Sequence, residues 1–155
     1  MKNLQKNENM KKSPLQYLLI IHKNNGILDM EVYSEKGGLD MTVRDAMETL
    51  GARVLVGEDR LDEEVKSACG SDMMSDVLAF SKDHSILLTG LCNPQVIRTA
   101  EMLDIVCIIF VRGKKPDETI LQMAKDSNLV VLATGHRMFS ACGMLYKAGL
   151  GGGAI

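Results

Sequence analysis

From residue 42 onward the chain alternates between short apolar runs and longer stretches in which apolar residues recur every third or fourth position. The runs ARVLV (52–56), SILL (85–88), IVCIIFV (105–111) and LVVLA (129–133) predict strands, and residues 65–69 predict another. The helical stretches fall between them. Thr42 is placed to cap a helix that carries Val43, Ala46, Met47 and Leu50 on one face and is stopped by Gly51. Residues 73–80 predict a short helix with Asp76 near its start, and residues 94–103 a helix with Pro94 in its first turn. Residues 117–127 and 138–148 complete the set. Residues 57–63 and 112–116 read as turns, and Gly149 to Gly153 as a fraying end.

Three strand–helix units follow one another, at 85–103, 105–127 and 129–148. Such a repeat predicts an α/β domain of three layers, α/β/α, around a mainly parallel sheet with right-handed crossovers. The run at 105–111 is apolar on both faces, as a strand covered on both sides must be. Ligands of open parallel sheets bind beyond the carboxyl ends of the strands. Those ends here read Thr89-Gly90, Arg112-Gly113 and Thr134-Gly135.

The first forty residues follow a different pattern. Residues 1–14 are polar and rich in Lys and Asn, which predicts a poorly ordered segment. Residues 17–23 and 27–34 are β-like runs around Asn24-Asn25-Gly26, a hairpin signal. Lys36-Gly37-Gly38 can be encoded by a purine-rich run like a ribosome-binding sequence, a short distance before Met41, and Met41 leads directly into the first helix. Residues 1–40 therefore read either as a poorly ordered or hairpin extension or as a translated leader of an over-extended gene. Residues 41–150 form the domain, and residues 151–155 a flexible tail.

Composition narrows the function. The 155 residues carry a net charge of −2, with acids and bases interspersed. A basic stripe of the kind nucleic acids require is missing, as are stacking aromatics: there are three Tyr, three Phe and no Trp. Eleven Met and the aliphatic residues must fill the core. No apolar run approaches the ~18 residues of a spanning helix, so the expected location is the cytoplasm, with neither a nucleic-acid nor a membrane partner. The four cysteines, at 69, 92, 107 and 142, form no C-x-x-C pair and read as reduced thiols with no metal.

At the strand ends, Gly90, Gly113 and Gly135 allow close backbone approach, and Thr89 and Thr134 supply hydroxyls. Arg112, Lys114 and Lys115 supply positive charge. Together they could hold a small phosphate-bearing anion, although turns also use these residue types. Enzyme readings find little support. The chain has no G-x-x-x-x-G-K-[ST] loop, no G-x-G-x-x-G after a strand and no G-x-S-x-G elbow. Asp72 and Asp76 are spaced to share a helix face, and His136 stands at a strand end, so these three are the candidates for acid–base or phosphotransfer chemistry. His84 reads as a loop residue, and nothing marks Cys92 as an activated nucleophile.

The order of these landmarks resembles the DRTGG domain, which is similar to the N-terminal domain of HPr kinase/phosphorylases. The resemblance runs from TVRDAMETLGARVLVG (42–57) through Gly70-Ser71-Asp72-Met73-Met74-Ser75-Asp76-Val77 to Leu87-Leu88-Thr89-Gly90 with Asn93 beyond it. It continues through Ile108-Ile109 to Gly113 and Pro116, and from Leu132-Ala133-Thr134 to Phe139 and Leu145-Tyr146. Two places depart from the family pattern: the Asp-Arg expected after the third strand is replaced near Leu91-Cys92-Asn93, and the Thr-Gly-Gly after the next strand reads Val111-Arg112-Gly113. The resemblance implies a regulatory, non-catalytic module that dimerises and acts on a protein partner. The form is similar to stand-alone DRTGG proteins, and that resemblance implies a gene context near iron-only hydrogenases. It also implies that no cofactor is needed, and that the effector is a small anion such as an adenine nucleotide. The candidate ligand residues of this sequence are Asp72, Thr89, Gly90, Asn93, Arg112, Gly113, Thr134 and Gly135. The alternatives are a phosphotransfer-type enzyme or a pure structural adaptor.

Overall fold

The computed structural model describes residues 17–24, 27–34, 41–81 and 84–152. The chain divides into a unit ending at Leu39 and a unit spanning Asp40–Ile155. In the first, β1 (Tyr17–Asn24) and β2 (Ile27–Ser34) pair antiparallel, Asn24 opposite Ile27. Asn25 and Gly26, the expected turn, and the polar segment at 1–14 lie outside the described residues.

The second unit opens with β3 (Met41–Thr42) and α1 (Val43–Thr49). Thr42 caps α1 through a capping box: its hydroxyl accepts from the Asp45 N–H, and the Asp45 carboxylate accepts from the Thr42 N–H. Gly51, at φ +53, ends the helix. Next come β4 (Arg53–Val56), β5 (Glu64–Val65), β6 (Ser67–Gly70) and α2 (Met74–Phe80). The single strand expected at 65–69 is thus two. β5 pairs with β3, while β6 joins the main sheet.

The three repeating units follow as β7 (Ser85–Thr89) with α3 (Pro94–Met102), β8 (Cys107–Phe110) with α4 (Glu118–Asp126), and β9 (Val130–Ala133) with α5 (Met138–Lys147). The main sheet has the order β4-β9-β8-β7-β6. β6 to β9 run parallel, and β4 pairs antiparallel with β9 at the edge, Arg53 opposite Ala133.

Every residue of β7, β8 and β9 is buried, because helices cover both faces. Ile86, Leu88, Ile109 and Leu132 pack with Ala46, Leu50, Ala141 and Leu145 of α1 and α5. Leu87, Ile108, Phe110 and Val131 pack with Val77, Val96, Ile120 and Ala124 of α2, α3 and α4. These are the three α/β/α layers that the apolar runs predict. Leu150 and Gly151, within the stretch expected to fray, are held in place. Leu150 is buried, and the Gly151 carbonyl accepts the Ala68 N–H of edge strand β6.

Candidate ligand site at the strand ends

The carboxyl ends of β7, β8 and β9 sit side by side, because Thr89 pairs with Phe110 and Phe110 with Ala133. The turn after β8 brings them together chemically. Arg112 and Gly113 both have positive φ, +61 and +64, and the Lys114 N–H donates to the Val111 carbonyl. Two successive positive φ values mark a type I′-like turn. The Arg112 and Gly113 N–H groups donate to the carbonyls of His136 and Thr134, tying this turn to the one after β9.

Asp72 is the hub of the β7–β8 side. Its Oδ1 accepts from the Gly90 N–H at 2.6 Å and from the Thr89 hydroxyl at 3.0 Å. Its Oδ2 accepts from Arg112 Nη2 at 2.8 Å. Burial alone would raise this carboxyl. The Arg112, Gly90 and Thr89 hydrogen bonds and the Arg112 charge outweigh burial and hold it below the ordinary carboxylate range. The Arg112 guanidinium lies over Gly90, where an added Cβ would come within 1.7 Å of Nη2. Only glycine leaves room for that arrangement.

On the other side of the same turn is a cleft of about 290 Å³ lined by Gly51, Arg53, Gly113, Lys114, Lys115 and the 133–135 segment. Arg53, Lys114 and Lys115 are all exposed, so three cations face one concave, glycine-edged space. α3 and α4 have side-chain caps, from Asn93 and Asp117, whereas α5, which follows Gly135, has none.

The expected residues therefore fall into three groups. Asp72, Thr89, Gly90 and Arg112 form one latch. Gly113, Thr134 and Gly135 line the cleft. Asn93 caps α3 through the Gln95 N–H. The threonine hydroxyls are already engaged: Thr89 donates to Asp72 and accepts from the Leu91 N–H, and Thr134 donates to the Leu50 carbonyl and accepts from the His136 N–H. They fix the turns. Asp72 and Asp76 do not share a helix face, since α2 starts at Met74 and Asp72 turns back onto β7. With its carboxyl held low, Asp72 is a poor general acid at neutral pH. Arg53 was not among the sequence candidates. It reaches the site because β4 runs antiparallel, which puts its first residue beside the last residue of β9.

A three-layer α/β domain with a charged crevice at the carboxyl ends of a parallel sheet is the class defined by this fold and site. The chain belongs to the DRTGG domain family, which it matches over residues 45–148. No curated protein matches it. Among solved structures it is similar to the CBS and DRTGG domains of the regulatory region of Clostridium perfringens pyrophosphatase, a structure complexed with the activator diadenosine tetraphosphate. The identity is 21% and the TM-score 0.53, and the match covers 64% of this chain and 44% of that one. This chain thus spans less than half of that neighbour, and the likeness is one of fold. Among the described residues, no helix is long and apolar enough to cross a membrane.

Proposed function

We propose that this protein is a regulatory ligand-sensing module whose effector is a phosphate-bearing small molecule of the adenine-nucleotide class, held at the strand ends. The observation that carries the proposal is the convergence of Arg53, Lys114 and Lys115 on one cleft edged by Gly113 and Gly135. Cations supply the charge that phosphates seek, and glycines let phosphate oxygens approach the backbone. The class of effector is supported by the neighbouring regulatory region, whose activator is a dinucleoside polyphosphate.

The output is a contact with a protein partner, made by a cytoplasmic homodimer. The exposed apolar side chains support this part: Phe139 is 91% exposed, Phe80 74% and Tyr146 73%. Apolar surface of this kind marks protein-contact sites when it gathers in a patch. A hydrogenase-linked partner is the specific case that the family resemblance implies.

The test is a thermal-shift and calorimetric screen of the full chain against diadenosine tetraphosphate, mononucleotides and inorganic phosphates. Binding to the folded state raises the melting midpoint by mass action. The expected result is a saturable shift with one nucleotide that Arg53→Ala and Lys115→Ala each reduce. A flat screen with folded protein would refute the sensing role.

A further inference from the structure

We infer that the Asp72 carboxylate is a resident anion seated in an anion site of the fold, and that a phosphoryl group of the effector takes its place. The inference rests on the reading that the effector is anionic. Three donors from two turns converge on this carboxylate: the Gly90 N–H, the Thr89 hydroxyl and the Arg112 guanidinium, at 2.6 to 3.0 Å. A backbone amide, a hydroxyl and an arginine are what a phosphate oxygen receives in a protein site. The carboxylate comes from outside those turns, on the segment between β6 and α2, so it fills the seat without building it. Its side chain is 45% exposed and that of Arg112 43%, so an anion can reach the seat without unfolding the core.

Arg112 holds a left-handed backbone conformation at φ +61, which a long side chain seldom adopts. The same turn presents Gly113, Lys114 and Lys115 to the cationic cleft. The cleft and the Asp72 seat thus lie on opposite sides of one turn, and the seat is tested as an anion site in its own right.

Displacing Asp72 has a structural consequence. α2 has no side-chain cap. The segment before it is held to β7 by Asp72 and by the Ser71 N–H to the Leu88 carbonyl. Met73, Leu78 and Phe80, all exposed, lie in or next to this helix. Loss of the carboxylate anchor loosens residues 71–81 and changes how these apolar side chains are presented.

The test is calorimetric titration of the full chain with inorganic pyrophosphate, comparing the unsubstituted protein with Asp72→Asn, Asp72→Ala and Arg112→Ala. Asparagine keeps the shape and the Oδ1 acceptor but removes the charge. Asp72→Asn and Asp72→Ala are expected to bind pyrophosphate at least tenfold more tightly than the unsubstituted protein, and Arg112→Ala to lose binding. Hydrogen exchange of the unsubstituted protein is expected to speed up at residues 71–81 as pyrophosphate saturates it. Unchanged or weaker binding by Asp72→Asn, with binding still dependent on Arg53 and Lys115, would overturn this inference and leave the sensing role standing. Unchanged or slower exchange at 71–81 would overturn it too. Failure of every variant to bind pyrophosphate or any nucleotide would overturn both.

Discussion

Thr89→Val tests the latch through stability alone, with no ligand. Valine matches threonine in shape, so the buried volume at this fully enclosed position is kept while the hydroxyl is lost. Two hydrogen bonds disappear: the donation to Asp72 Oδ1 at 3.0 Å, and the acceptance from the Leu91 N–H at 3.1 Å. A neutral hydrogen bond contributes about 1 kcal/mol net, one to a charged group about 1.5–3 kcal/mol. Asp72 is nearly half exposed and water partly replaces its lost donor, so the total expected loss is about 1.5–3 kcal/mol. Thr89→Ser keeps the hydroxyl and should lose less than half of that. Urea unfolding followed by circular dichroism measures the difference. The pH dependence carries the sign. Asp72 has a lower pKa folded than unfolded, so its charge-linked stability is complete above about pH 4 and is lost as pH falls through the folded value. The gap between Thr89→Val and the unsubstituted protein should therefore shrink at low pH. A loss below about 0.5 kcal/mol at pH 7, the scale of an ordinary surface change, would refute the latch.

Two other substitutions probe the neighbourhood. A Cβ at Gly70 would meet Cys142 Sγ at 2.7 Å, so Gly70→Ala should destabilise by about 1–3 kcal/mol; adding Cys142→Ala should recover at least about 0.5 kcal/mol as a coupling energy in a double-mutant cycle, and strict additivity would count against the contact. Arg112→Gly relieves a left-handed backbone worth about 1 kcal/mol but forfeits an exposed ion pair of similar size, so unfolding should show nearly unchanged stability while calorimetry shows weakened binding of any anionic effector.

The layers of the fold are legible in the sequence because they rest on local signals. The all-apolar run ending at Val111 predicts a covered strand, and Cys107–Phe110 is buried throughout. Thr42 three residues before Asp45 is a capping pattern, and both of its bonds form. What the sequence conceals depends on pairings between distant residues. The edge strand β4 reads like its parallel neighbours, and only its partner makes it antiparallel. The Asp72 contacts span 17, 18 and 40 residues. A reading based on helical spacing instead pairs Asp72 with Asp76. The place of Thr89 and Thr134 at the strand ends is legible, but the direction of their hydroxyls, to Asp72 and to Leu50, is not.

The left-handed residues separate turn-making from function. Among the described residues, four other than glycine have positive φ: His84, Asp104, Arg112 and Asn128. Three of them lead into β7, β8 and β9 at the amino ends and are His, Asp and Asn, the types that enter this region most readily. Arg112 stands alone at the carboxyl ends and is not of those types. Its N–H is bonded to the His136 carbonyl and its guanidinium to Asp72, so the surroundings hold it in a conformation its own side chain disfavours. Asn or Gly would form the same turn with less strain and no latch. An arginine there is explained by its charge, which is available to Asp72 when the seat is closed and to a phosphoryl group when Asp72 leaves.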